Sequence, residues 1–164
     1  MNLKTFKSDD VEAAMAAART CWAELQIEDT ESICQDVLSL DPTNQEAVEL
    51  LFRSRVSLLS KGLPRGVERA QELVPQFDGD FEKAFFSGLL RENQARYLLD
   101  RRGRQASSVA YNWFRHAMDD FEEANRQDST RIEATLHWNA CLRTLQANPH
   151  CAPNPEDAEE HGIE

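Results

Sequence analysis

The sequence predicts an all-α fold, an antiparallel array of about seven helices joined as hairpins. Three observations carry that prediction. Ala, Leu, Glu, Gln and Arg dominate, while Gly and Pro number only six each in 164 residues, so good helix formers prevail over breakers. Apolar residues recur with a 3.6-residue period along most of the chain. One short string also occurs twice, 87 residues apart: Asp41-Pro42-Thr43-Asn44-Gln45-Glu46-Ala47 and Asp128-Ser129-Thr130-Arg131-Ile132-Glu133-Ala134 both read D-x-T-x-x-E-A. Each copy follows one amphipathic stretch and opens another. In each, the Thr is expected to cap a helix while the Glu three residues on reaches back to the cap's own N–H. A helix joint used twice is the signature of stacked helical hairpins, a class that binds other proteins more often than it catalyses.

The elements follow in order. Residues 1–8 are polar and read as a short arm. Asp9 and Glu12 form a capping box for a first helix over about 9–25, with Val11, Ala14, Met15, Ala18, Cys21, Trp22 and Leu25 in period. Asp29 or Thr30 caps a second, carrying Ile33, Cys34, Val37, Leu38 and Leu40. It stops before Pro42, because a residue ahead of proline avoids the helical region. The third, about 44–61, carries Ala47, Val48, Leu50, Leu51, Phe52, Val56, Leu58 and Leu59, and Lys61-Gly62 makes a good C-terminal pair. Pro64 opens a fourth with Val67, Ala70, Leu73 and Val74, bracketed by Pro75 and Gly79. The fifth runs over about 80–102, the sixth over 106–127 and the seventh over 130–146. The helical domain thus spans 9–146. Residues 147–164 hold Pro149, Pro153, Pro155 and an acidic run, with little to bury, and read as a mobile tail.

Charge and cysteines bound the function. Eighteen basic against 29 acidic residues give a net charge of −11. That disfavours nucleic acid or an anionic membrane surface as the main partner, and acidity by itself keeps such a domain soluble. Cys21, Cys34, Cys141 and Cys151 form no close-spaced framework, and no apolar run approaches membrane length. A reducing cytoplasm is the expected location.

Chemistry-bearing clusters are weak. His137 and Cys141 share a helix face, and His150-Cys151 follows shortly, which suits tetrahedral zinc in residue type. The spacing lacks a CxxC knuckle and Cys141 lies on an apolar stripe, so neither a metal nor a cofactor is assigned. Arg101, Arg102 and Arg104, with Arg91 and Arg96 one or two turns earlier, form a dense basic patch. It reads either as a clasp for an acidic partner or as a helix end paired internally with Asp100 or Glu92. Asp119-Asp120 and Glu122-Glu123 are consecutive on a helix and point to different faces, whereas acid–base work needs convergent groups. No phosphate loop, GxSxG or HExxH occurs, and no catalytic residue is assigned.

The helix pairs resemble the tetratricopeptide repeat family. Cys34 and Val37 precede Asp41-Pro42 as that pattern asks. Ala117, Phe121 and Ala124 hold its small, aromatic and small positions. Gly88 stands where a first helix carries glycine, and Trp138 and Leu142 fit the last helix. Departures are Ala17-Ala18 in place of Leu-Gly, Ser129 in place of the joint proline, and an enlarged unit around residues 101–104. The resemblance implies a right-handed solenoid whose first helices line a concave groove. Carried over, it places Arg19, Arg53, Asn93 and Arg143 on that face, with Trp22, Phe85 and Leu89 beside them. Arginine forks suit carboxylates, so the implied partner is a protein or peptide segment with acidic or carboxylate groups. The competing reading pairs each Arg with a groove glutamate: Glu12, Glu46, Glu49 or Glu133. The family's Lys-and-Asn carboxylate clamp is not evident here. The implied function is a non-enzymatic interaction module. Its rivals are a chaperone-like adaptor masking a secreted or assembling partner, and a metal protein or enzyme using the His137/Cys141 face.

Overall fold

A computed structural model describes residues 3–62, 65–101 and 103–153, the side chain of Arg104 excepted. Seven α-helices are found among them and no strand. They fall into two compact units, Met1–Asp78 and Gly79–Glu164.

The first unit holds α1 (Val11–Ala23), α2 (Ile27–Leu40), α3 (Gln45–Ser57) and the short α4 (Gly66–Gln71), with 3₁₀ turns at Ser8–Asp10, Leu58–Lys61 and Val74–Gln76. Short links, residues 24–26 between α1 and α2 and 41–44 between α2 and α3, force these helices antiparallel. α1 packs on α2 and α2 on α3, and α1 also touches α3. Met15, Ala18, Cys34, Val37, Ala47, Val48 and Phe52 fill the interior. α1 ends in a Schellman turn: Gln26 N–H donates to Cys21 O at 2.8 Å and Leu25 N–H to Trp22 O at 3.1 Å. The left-handed position there is Leu25, with φ 60° and 79% exposed, where glycine would carry no Cβ strain.

The second unit holds α5 (Asp80–Asp100), α6 (Arg104–Gln127) and α7 (Glu133–Ala147). α5 packs along α6, α6 on α7, and α7 also touches α5. Phe114, Ala117, Phe121, Ala124, Ala134 and Cys141 are fully buried.

Both joints connect packed helices, but their chemistry differs from the expected capping box. Asp41 Oδ1 accepts from Thr43 N–H at 3.3 Å and Thr43 Oγ1 at 3.0 Å, and Asp128 Oδ1 accepts from Thr130 N–H at 3.0 Å and Oγ1 at 2.6 Å. The threonines therefore donate to the aspartate that ends the preceding helix. Asn44 caps α3, its Oδ1 accepting from Ala47 N–H at 3.0 Å. The glutamates do not reach back: Glu46 pairs with Arg19 and Glu133 with Arg131. A short carboxylate two residues before a hydroxyl closes an Asx-type turn more directly than the Thr can cap. Asn44→Ala should therefore cost about 0.5–2 kcal/mol, and Thr43→Ala clearly less, checked by urea unfolding of both variants.

Other starts also shift. Asp10, not Asp9, caps the first turn, accepting from Lys7 N–H at 3.3 Å, while Glu12 pairs with Arg19. α2 begins at Ile27, three residues ahead of the expected Thr30. Thr30 lies buried in its first turn and donates to Gln26 O at 2.9 Å. α4 is shorter than expected, and its proposed opener Pro64 lies outside the described residues, as does Arg102. The segment after α7 is not all tail: Cys151 is 4% exposed and its thiol donates to Ser107 O at 3.3 Å. Residues 154–164 lie outside the described residues. Among the described residues no helix is long and apolar enough to cross a membrane.

Candidate functional site

The joint aspartates set a common register for α3 and α7. Ala47 and Ala134 stand at matching positions, as do Ser54 and Cys141, and all four are fully buried. The two helices therefore turn the same face inward. At the position of Leu50 in α3, α7 carries His137, and a polar network forms around it.

Glu92 of α5 is 3% exposed, yet both its oxygens are satisfied. Oε2 meets His137 Nδ1 at 2.6 Å, and Oε1 accepts from Arg96 Nη2 at 2.6 Å and Nε at 3.2 Å. Arg96 Nη1 then donates to Thr144 Oγ1 at 3.2 Å. Burial pushes the Glu92 carboxyl up. The hydrogen bonds and charges of His137 and Arg96 together outweigh it and hold the group below the usual glutamate range. An ionised carboxylate can only accept, so His137 Nδ1 carries the proton and Nε2 is turned away from Glu92. The imidazole is edge-on to Phe85 at 5.5 Å and stacked on Phe121 at 5.4 Å. Glu92 thus ties α5 to α7 through two cationic or polar partners that remain partly open, with side chains 35% (His137) and 41% (Arg96) exposed.

The predicted groove residues divide between the two units. In the first, Arg19 Nη1 donates to both Glu46 oxygens, at 3.0 and 2.8 Å, and Nη2 to Glu12 at 2.5 Å. Arg53 Nε donates to Glu49 at 2.7 Å. These surfaces are ion-paired within the unit rather than positively charged, and three of the four anticipated glutamates supply the pairs. Trp22 is half-buried. In the second unit Phe85 and Leu89 are buried core residues, 4% and 8% exposed, rather than surface contacts. Asn93 is half-buried, and its Nδ2 donates to Leu89 O at 2.8 Å. Arg143 is exposed, with no partner among the described residues. By the common register it stands where α3 has the buried Val56, and Ala140 is the counterpart of Arg53.

Burial, reinforced by the Glu92 charge, pushes the Cys141 thiol up to about 12, so it is no thiolate nucleophile. Among the described residues no three His, Cys, Asp or Glu side chains gather as metal ligands. His137 is taken by Glu92 and Cys151 by Ser107. The acidic run also disperses: Asp120 pairs with Arg91, Glu122 accepts from Trp138 Nε1 at 3.0 Å, and Glu123 takes Arg126 and Gln127. In the basic turn, Arg101 donates to Tyr97 Oη at 3.1 Å, lying over its ring.

Sequence reasoning missed Glu92 as an organising residue. The i, i+4 spacing of Glu92 and Arg96 was a legible signal, but the third member lies 45 positions away on α7. No family model, no curated protein and no solved structure matches this chain.

Proposed function

We propose that the protein is a non-enzymatic interaction module, a tetratricopeptide-like hairpin array that binds a peptide segment of a partner protein. The observation that carries this reading is the shared register. One joint opens α3 and α7, buries matching positions of each, and sets each beside the helix two before it, α1 or α5. Repetition of this kind builds extended binding surfaces. The polar network supports binding over catalysis, since its carboxylate is fully engaged and its neighbouring thiol is held protonated. Free thiols at all four cysteines suit a reducing cytoplasm. Arg143, exposed and without a partner among the described residues, is the arginine that meets a partner carboxylate in this reading.

A photo-crosslinking amino acid placed singly at Asn93 of α5, Arg143 of α7, and the exposed Asn112 and His116 of α6 tests the reading. Discrete protein adducts in native extract are expected from Asn93 and Arg143 but not from the α6 positions. Adducts from α6 alone, or from none of the four, would remove it.

A further inference from the structure

From the comparison of α3 with α7, we infer a second feature of the same reading: an apolar anchor site at the start of α7 that takes an extended partner segment. This rests on the interaction-module reading and names where and by what chemistry a partner docks. In α3, the face bearing Gln45 and Phe52 is covered by the chain itself. Gln45 Nε2 donates to Gln76 O at 3.1 Å, and its Oε1 accepts from Asp78 N–H at 3.1 Å. Between those contacts Phe77 is extended (φ −71°, ψ 137°), buried, and edge-on to Phe52 at 5.9 Å. Further along, α4 covers the C-terminal part, with Arg55 Nη1 donating to Arg69 O at 2.5 Å.

The matching face of α7 has a different composition at each end. Gln45, Glu49 and Phe52 correspond to Ile132, Leu136 and Asn139; Val56 and Leu59 correspond to Arg143 and Gln146. Val56 and Leu59 are buried, whereas Arg143 and Gln146 are exposed. The C-terminal half of this α7 face is therefore suited to water and needs no covering helix. Its N-terminal half keeps two aliphatic side chains open, Ile132 at 64% and Leu136 at 54% exposure. That is where the first unit lays an extended segment with one bulky apolar side chain.

The size of the patch chooses the occupant. Two such side chains offer on the order of 200 Å² of apolar surface, against the roughly 800 Å² per partner that a stable protein interface buries. A second copy of this chain is thereby disfavoured and a short peptide fits. Leu136 and Arg143 are seven residues apart, about 10 Å along a helix, or about three residues of extended chain. The ligand is thus a peptide with an aromatic or large aliphatic side chain and a carboxylate about three residues away for Arg143.

The test uses the ¹⁵N-labelled full chain and a capped heptapeptide of Gly and Ser carrying one phenylalanine and, three residues on, one aspartate. Amide shifts confined to residues 132–143 are expected at millimolar peptide. Leu136→Ser should raise Kd about tenfold or more, since a buried leucine side chain carries about that much binding. Val109→Ser, at an exposed position on α6, should leave it unchanged. Replacing the aspartate by asparagine and mutating Arg143→Ala should each weaken binding, and the two losses should not add. All of these substitutions are at exposed positions, so folding should survive them. Absence of shifts, or shifts indifferent to Leu136→Ser, would overturn the site. So would concentration-dependent shifts at 132–143 without peptide, which would assign the face to a second copy. Peptide failure alongside adducts from Asn93 would remove this site and leave the interaction-module reading in place.

Discussion

Glu92→Gln is expected to destabilise the second unit by about 2–3 kcal/mol. Breaking a buried charge pair leaves its partners uncompensated and costs about 3–5 kcal/mol when they are fully enclosed. Here His137 and Arg96 are partly open to solvent, which lowers the figure. Arg126→Ala is the comparison. Its pair with Glu123 is open on both sides, at 71% and 42% exposure, and exposed pairs contribute about 0–1 kcal/mol. Urea unfolding at neutral pH reads both. Equal losses would mean that the buried carboxylate does not organise α5 and α7.

The same group sets a pH dependence of known sign. Glu92 is held below the unperturbed value of 4.5 by His137 and Arg96 in spite of its burial. Its stabilisation is therefore fully present above that value and is lost as pH falls through the lower folded value. Asp120 works the other way: burial raises its carboxyl and the Arg91 charge offsets this only in part. The informative quantity is thus the stability difference between wild type and Glu92→Gln. Its carboxylate part should shrink as pH falls below 4.5 through the lower folded value. A difference that grew below 4.5 would reverse the assignment.

The helices were legible because their signals are local. The periods of α3, α5 and α6 mark the buried positions: Phe52, Phe85, Phe114 and Phe121 all stand in period and all are buried. Helix starts were less legible. In both joints the aspartate accepts from the threonine's own amide and hydroxyl, which draws the hydroxyl back to the aspartate instead of onward as a helix cap. The candidate site was the least legible part. Arg19 looks available in the sequence, but Glu46 of α3 lies within reach of it once α1 and α3 pack; the i, i+4 pair of Arg53 and Glu49 lies within α3 and needs no packing. Glu92 reads as one half of an ordinary surface pair with Arg96 until α7 brings His137 to its second oxygen. Partners that are distant in sequence carry no periodic signal. The repeated joint was the exception, because it fixes a register from which α7 can be read against α3.

Gly88→Val is expected to cost about 3 kcal/mol, the upper part of the range for overpacking, although valine is the better helix former. The reason is geometric. A Cβ on Gly88 would lie 2.7 Å from Cε1 and 2.8 Å from Cδ1 of Phe121. The ring cannot retreat easily: it is fully buried, with Phe85 at 5.9 Å and His137 stacked against it at 5.4 Å. Gly88→Ala isolates the clash, because alanine improves helix propensity by about 1 kcal/mol and should still lose stability on balance. Shortening the opposing side chain should relieve it. The double variant Gly88→Ala/Phe121→Leu is expected to be more stable than the sum of its single changes allows, by about 1 kcal/mol. Strict additivity would show that α5 and α6 do not depend on this close approach. The consequence reaches the candidate site, since Phe121 supports one face of His137. Gly88→Ala should therefore shift the His137 ring resonances, while the equally buried but separate Ala18→Gly in the first unit should leave them in place.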